Sequence, residues 1–311
     1  MTDPSTKRFY RFAIGLILVL QSVAGHTAGQ LIIDADDQYR YAQTRLDAGA
    51  YDEAIAEFNR FIHFFPDDAR VTRARFETGM AYFHSSRFAQ AAAIFDRQTD
   101  PYRGTPLDDE AFFMLSRSHA HQGMTEQAML DLHNLMMLTA DQATIDRARY
   151  ELGWLHVDLG RWTDADRAFG RISPDGQDRY PVVELKRALT RSDAIPVKNP
   201  TTAGLLSIVP GAGQLYCQRY QDALTAFLIN TGLIWAAWEA FDNDQIALGS
   251  VIAFVEFGFY AGNIYSAVSS AHKFNRDRKD AFRKDLYRLR PISVSMAPDG
   301  KGAALCLNVA F

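Results

Sequence analysis

Residues 49–68 read GAYDEAIAEFNRFIHFFPDD, and residues 74–95 follow with ARFETGMAYFHSSRFAQAAAIF. A small turn residue (Gly49, Ser86) is followed two positions later by an aromatic (Tyr51, Phe88), then by alanine (Ala54, Ala91) and phenylalanine (Phe58, Phe95). The pattern returns at Gly123, with Thr125, Ala128 and Leu132, and at Gly160, with Trp162, Ala165 and Phe169. The turns at 49, 86, 123 and 160 are each 37 residues apart. A period of this size means stacked helical hairpins, none of which can bury its apolar face alone. In the first unit Tyr39, Ala42 and Leu46 share one helical face, Ala54, Phe58, Phe61 and Ile62 line the second helix, and Pro66 ends it. Gly79 and Gly153 stand on the first helices of later units, where a small residue lets two crossing helices approach closely.

Leu152-Gly153 followed by Trp162, Ala165 and Phe169 resembles the tetratricopeptide repeat, as do Gly79, Tyr82, Ala91 and Phe95. The usual period of that family is about 34 residues, so each connection here is slightly longer. The third unit departs most, with Thr125 and Leu132 in place of aromatics. The resemblance is closest to bacterial periplasmic members and covers residues 36–173. It implies a helical-hairpin solenoid that binds a protein or peptide in its groove, without naming that ligand. Arg75, Tyr82, Arg149 and His156, on the first helices of their units, are the candidate partner-binding residues.

The 311 residues, 48% of them hydrophobic, are enough for two domains. A net charge of −4 gives no hint of a nucleic-acid partner. The two cysteines, Cys217 and Cys306, lack metal-ligand spacing and read as unpaired small hydrophobes. His63, His84, His119, His121, His133 and His156 lie in the repeat half without an H-E-x-x-H motif. No G-x-S-x-G elbow or Walker loop occurs, so no catalytic, cofactor or metal site is expected and the chain reads as a non-enzyme.

Lys7, Arg8 and Arg11 precede an apolar run from Phe12 to Leu20, with Ser22 and Ala24 spaced for signal-peptidase cleavage. Residues 1–24 are therefore expected to be a signal peptide that delivers the repeats to the periplasm. No cysteine stands near the cleavage site, which argues against a lipid anchor.

A capping helix around Val182–Thr190 and a proline-bearing linker complete residues 174–200. Residues 201–272 then read as a membrane helical hairpin. Ala223–Ala240 and Ile246–Val268 are each long enough to cross a bilayer, and the short DNDQ link forces them antiparallel. Gly258-x-x-x-Gly262 offers a face for close helix packing that Gly232 is placed to meet. Glu256, near mid-span, is either functional, a protonated carboxyl bonded to Asn230, or a residue of a helix that sits shallower in the bilayer. Pro210, Gly211, Gly213, Gln214 and Tyr216 precede the first span, and Gly262, Asn263, Tyr265 and Ala267 end the second. This P-G-x-G-Q-x-Y and G-N-x-Y-x-A pair resembles a widespread, poorly characterised bacterial membrane domain, which implies an envelope protein but no reaction.

Residues 273–311 begin with a strongly basic stretch that the positive-inside rule places in the cytoplasm. A signal peptide followed by a two-span hairpin returns it to the periplasm instead. It also suits an interfacial helix with Phe274, Phe282, Leu286 and Leu289 on one side. Alternating apolar residues around Pro298-Asp299-Gly300 predict a terminal β-hairpin. The fold class expected is mainly α: a tetratricopeptide-type solenoid, a hydrophobic helical hairpin and a short β-hairpin. The expected function is a membrane-tethered periplasmic scaffold for protein–protein interaction, working in envelope protein assembly. The alternative is an integral membrane component, oligomeric or transport-related, whose hairpin carries the activity.

Overall fold

The computed structural model describes residues 34–99, 105–290, 294–296 and 303–305. The expected signal peptide and Cys306 lie outside the described residues. The chain forms two compact units that divide between Ile94 and Phe95.

The first unit contains α1 (Ala35–Asp47), α2 (Tyr51–Phe64) and α3 (Val71–His84), and α4 (Phe88–Asp96) begins in it. Asp34 caps α1 by accepting the Asp37 N–H at 2.7 Å, which satisfies one of the free amides of the first turn. Gly49 turns the chain at φ +72°, and Ser86 does the same at φ +60° despite its side chain. Tyr39, Ala42, Ala54, Phe58, Phe61 and Ala74 are buried together. The Tyr39 ring meets Phe58 and Phe61 edge to face at 5.8 and 5.2 Å.

The second unit continues with α5 (Pro106–His121), α6 (Thr125–Leu138), α7 (Gln142–Asp158) and α8 (Trp162–Gly170). Thr105 and Asp108 form a reciprocal capping box at the start of α5, with Pro106 in the first turn. Gly123 and Gly160 turn the chain at φ +76° and +68°. A Cβ on Gly153 would collide with the Phe169 ring, so this glycine sets how closely α7 and α8 cross.

Beyond a short α9 (Pro174–Gln177), α10 (Val182–Leu189) packs on α8. The predicted linker is ordered. Thr190–Ala194 form a 3-10 turn, and Asn199 caps α11 (Pro200–Leu206). Asn275 clamps Lys198 by exchanging two hydrogen bonds with its backbone, at 2.7 and 2.8 Å. α12 (Ala212–Tyr216) leads into α13 (Tyr220–Asp242), and α14 (Ile246–Tyr287) returns antiparallel beside it. Both α13 and α14 are long and apolar enough to cross a membrane. Phe227, Trp235, Trp238, Phe254 and Phe257 face outward from them.

α14 corrects two expectations. It runs 42 residues without a break, so no boundary falls at 272–273. Its basic end also does not form a separate interfacial helix. Leu286 is 1% exposed in a core with Trp154, Phe169, Val182 and Leu185, with Phe282 and Leu289 packed alongside. Tyr287 stacks on Trp154 at 4.9 Å, and Phe282 meets Trp162 edge-on at 5.0 Å. α10 and the last turns of α14 together cover the apolar face that a fifth repeat would otherwise bury.

Val294–Met296 pairs antiparallel with Ala303–Leu305, Val294 lying opposite Leu305. The expected β-hairpin finds no support beyond this short pairing, because its turn and outer residues lie outside the described ones. Among the described residues the fold is mainly helical, with paired antiparallel helices over residues 35–170.

Candidate functional site

Arg149 and His156 lie seven residues apart on α7, two turns along one face, and line a single cavity of about 410 Å³. His133 from α6, and Asp164, Arg167 and Arg171 from α8 and its end, complete the polar wall, with Leu152 and Met136 as apolar floor. Arg149 donates to the Arg171 carbonyl at 2.6 Å and approaches Asp146 at 3.3 Å. Burial pushes the Asp146 carboxyl up, but hydrogen bonds from Ser173 and Gln142 outweigh it and hold the group below its ordinary value. Arg167 pairs with Asp164 at 2.7 Å. Burial pushes the His156 imidazole down, and its Nδ1 has no hydrogen-bond partner among the described residues. Guanidinium edges beside imidazole rings suit a carboxylate-bearing peptide.

The same repeats carry a ladder of charges absent from the sequence-based expectation. Arg147 donates to both Glu110 oxygens, at 2.6 and 3.1 Å, and lies 3.9 Å over the Phe113 ring. Glu151 accepts from Arg117 at 2.7 Å and from Arg290 at 3.3 Å. Burial raises the Glu151 carboxyl, yet Arg117 and Arg290 overcome it and hold the group below its ordinary value. One signal was present: Glu110 and Arg147 are separated by the repeat step of 37 residues.

In the first unit Arg75 is exposed on α3. Tyr82 is half-buried, with the Arg87 guanidinium 4.9 Å over its ring.

The glycine-rich turn before α13 closes the base of the hairpin. Gly211 adopts φ +85°, reachable without strain only for glycine, and its N–H donates to Asn263 Oδ1 at 3.3 Å. Gln214 donates to both Asn263 oxygens at 3.0 Å, and Asn263 donates to the Ser207 carbonyl at 3.0 Å. A Cβ on Gly213 would strike Ser207, Ala203 and Ala267. The Tyr216 hydroxyl accepts the Asn199 N–H at 3.2 Å. Tyr265 stands outside this lock, 77% exposed.

The rest of the hairpin departs from expectation. A Cβ on Gly232, Gly258 or Gly262 would meet nothing within 4 Å, so these glycines do not pack α13 against α14. Gly258 and Gly262 instead line an open groove of about 570 Å³ with Asn230 and Gln214. Asn230 donates to the Ala226 carbonyl at 2.7 Å and makes no bond to Glu256. Both Glu256 oxygens, Asn230 Oδ1 and Gln214 Oε1 are buried without a hydrogen-bond partner among the described residues.

A protein-family model described as "YfiO: Outer membrane lipoprotein" matches residues 33–152. Outer membrane protein assembly factor BamD of Caulobacter vibrioides is 26% identical in an alignment 172 residues long that covers 48% of this chain. The chain spans 56% of that relative's length. A tetratricopeptide repeat protein from Parabacteroides merdae aligns at 12% identity and TM-score 0.43, over 82% of this chain and 93% of that one. A Rap protein complexed with Competence and Sporulation Factor aligns at 16% identity and TM-score 0.38, over 82% and 76% of the two chains. Residues 33–152 are thus similar in sequence to an outer-membrane lipoprotein family, and the helical hairpin lies beyond that match.

Proposed function

We propose that this protein is a membrane-tethered scaffold of the bacterial envelope that captures a protein or peptide partner on its repeats, in envelope protein assembly. The observation that carries this reading is the packing of α14. The helix that leaves the apolar hairpin ends inside the core of the last repeat, so the proposed tether is built into the partner-binding element. The likeness of residues 33–152 to an outer-membrane lipoprotein family, and of the chain to an assembly factor, supports the envelope and the assembly role. The outward Trp235, Trp238, Phe254 and Phe257 support bilayer insertion, since they leave a wide apolar surface without a protein neighbour. The cavity around Arg149 and His156 supports capture of an acidic segment.

Topology reporters fused after Ser173 and after Arg290 test the arrangement. Both are expected to report the periplasm, and a cytoplasmic signal after Ser173 would defeat it. Arg149→Ala with Arg167→Ala should weaken partner crosslinking at least tenfold while membrane flotation is unchanged.

The unpartnered Glu256 favours a second reading in which the hairpin itself carries an activity. Glu256→Gln separates the two: loss of function with normal partner crosslinking would transfer the activity to the hairpin.

A further inference from the structure

We propose that Glu256 is the docking point for a lysine or arginine carried at mid-span by a transmembrane helix of a different protein. This rests on the membrane reading of α13 and α14. Glu256 is 7% exposed, and neither carboxyl oxygen has a hydrogen-bond partner among the described residues. It stands ten residues into α14, about 15 Å along the axis and half the depth of a hydrocarbon core roughly 30 Å thick. A carboxyl at that depth is costly unless a partner answers it.

The hairpin supplies no answer. Asn230 gives an amide N–H to the Ala226 carbonyl, no hydrogen bond joins it to Glu256, and the oxygen it leaves unpartnered is another acceptor. The missing group is therefore a donor. Beside Glu256 lies a cavity of about 450 Å³ walled by Trp238, Phe241, Phe257 and Tyr260, with Ala237 and Ala253. Aromatic faces attract a cation, and the alanines leave room for another backbone to approach.

Two observations narrow the occupant. No lysine or arginine occurs between Arg219 and Lys273, so a second copy of the hairpin cannot bring a cation to this depth. A lipid amine resides at the headgroup level, about half a core thickness away. A cation at mid-span is instead carried there by a helix.

The full chain in phosphatidylcholine–phosphatidylglycerol vesicles, mixed with synthetic leucine–alanine spans of about 20 residues, provides the test. The spans carry one central lysine, leucine or glutamate, and energy transfer from the protein's tryptophans to a dansyl group on the peptide reads association. The lysine span is expected to associate at least tenfold more tightly than the leucine span. Glu256→Gln should erase that preference, and Glu256→Lys should transfer it to the glutamate span. Equal association of the lysine and leucine spans, or a lysine preference that survives Glu256→Gln, would overturn the proposal. So would added phosphatidylethanolamine that abolishes the preference, because it would make a headgroup the occupant. Quenching of Trp235 and Trp238 by brominated lipid reports insertion separately. Its absence defeats the membrane reading, whereas quenching without lysine preference defeats this inference alone.

Discussion

Ser86 occupies the left-handed turn position that Gly49, Gly123 and Gly160 hold elsewhere, at φ +60°. A side chain in that region costs roughly 1–2 kcal/mol, partly offset by the greater unfolded-state entropy of glycine. Ser86→Gly should therefore stabilise the protein by about 0.5–1 kcal/mol in urea melts. Gly153→Ala should do the opposite, losing about 1–3 kcal/mol, because its Cβ would enter the Phe169 ring. His156 makes stability depend on acidity. Burial holds its folded pKa below the ordinary value of 6.5, so the unfolded chain takes up the proton first. Its contribution is present above that value and lost as pH falls below it. Thermal melts of His156→Gln should consequently fall less steeply between pH 7 and 5 than those of the unsubstituted protein.

At the scale of elements, the repeat helices were legible because each turn residue, alanine and bulky apolar residue recurs at one step, and the alanines and bulky residues are buried in every unit. Arg149 and His156 were named from the sequence only as residues of first helices, and it is the structure that brings them to one cavity. The end of α14 could not be placed by spacing either. Arg290 reaches Glu151 across 139 residues, and no periodicity links segments so distant. The glycines of the second span misled for a different reason. Large apolar residues face outward on several sides of α13 and α14, so the pattern does not reveal which side meets its partner. Leu286→Ala tests the join, with an expected loss of about 2–5 kcal/mol from the core around Trp154. Trp154 fluorescence should shift to the red as water reaches the ring. Arg290→Ala, which leaves Glu151 with Arg117 and the more distant charge of Arg147, should move the acid unfolding midpoint upward, since less then holds that carboxyl in its charged form.

For the molecule as a whole, the packing of α14 against α7 and α10 bears on orientation in a membrane. The last repeat and the basic segment are in contact, so they occupy the same side whichever compartment that is. The positive-inside rule was read from the charges of that segment alone. Two of those charges are engaged within the protein: Arg283 donates to the Asp158 carbonyl at 3.1 Å, and Arg290 lies 5.3 Å over the Trp154 ring. The helix that passes through the apolar hairpin thereby also completes the repeats.

That shared helix imposes an order on biogenesis. The two halves of the cap, Val182–Leu189 and the turns around Leu286, are synthesised about a hundred residues apart, with the whole apolar hairpin between them. Until the ribosome has released the hairpin, the Trp154 surface has only the first half of its cover, and a partly uncovered apolar face in a nascent chain attracts chaperones and proteases. Maturation of the last repeat therefore follows delivery of the hairpin to its destination, and a chain that fails to deliver it stays recognisably unfinished.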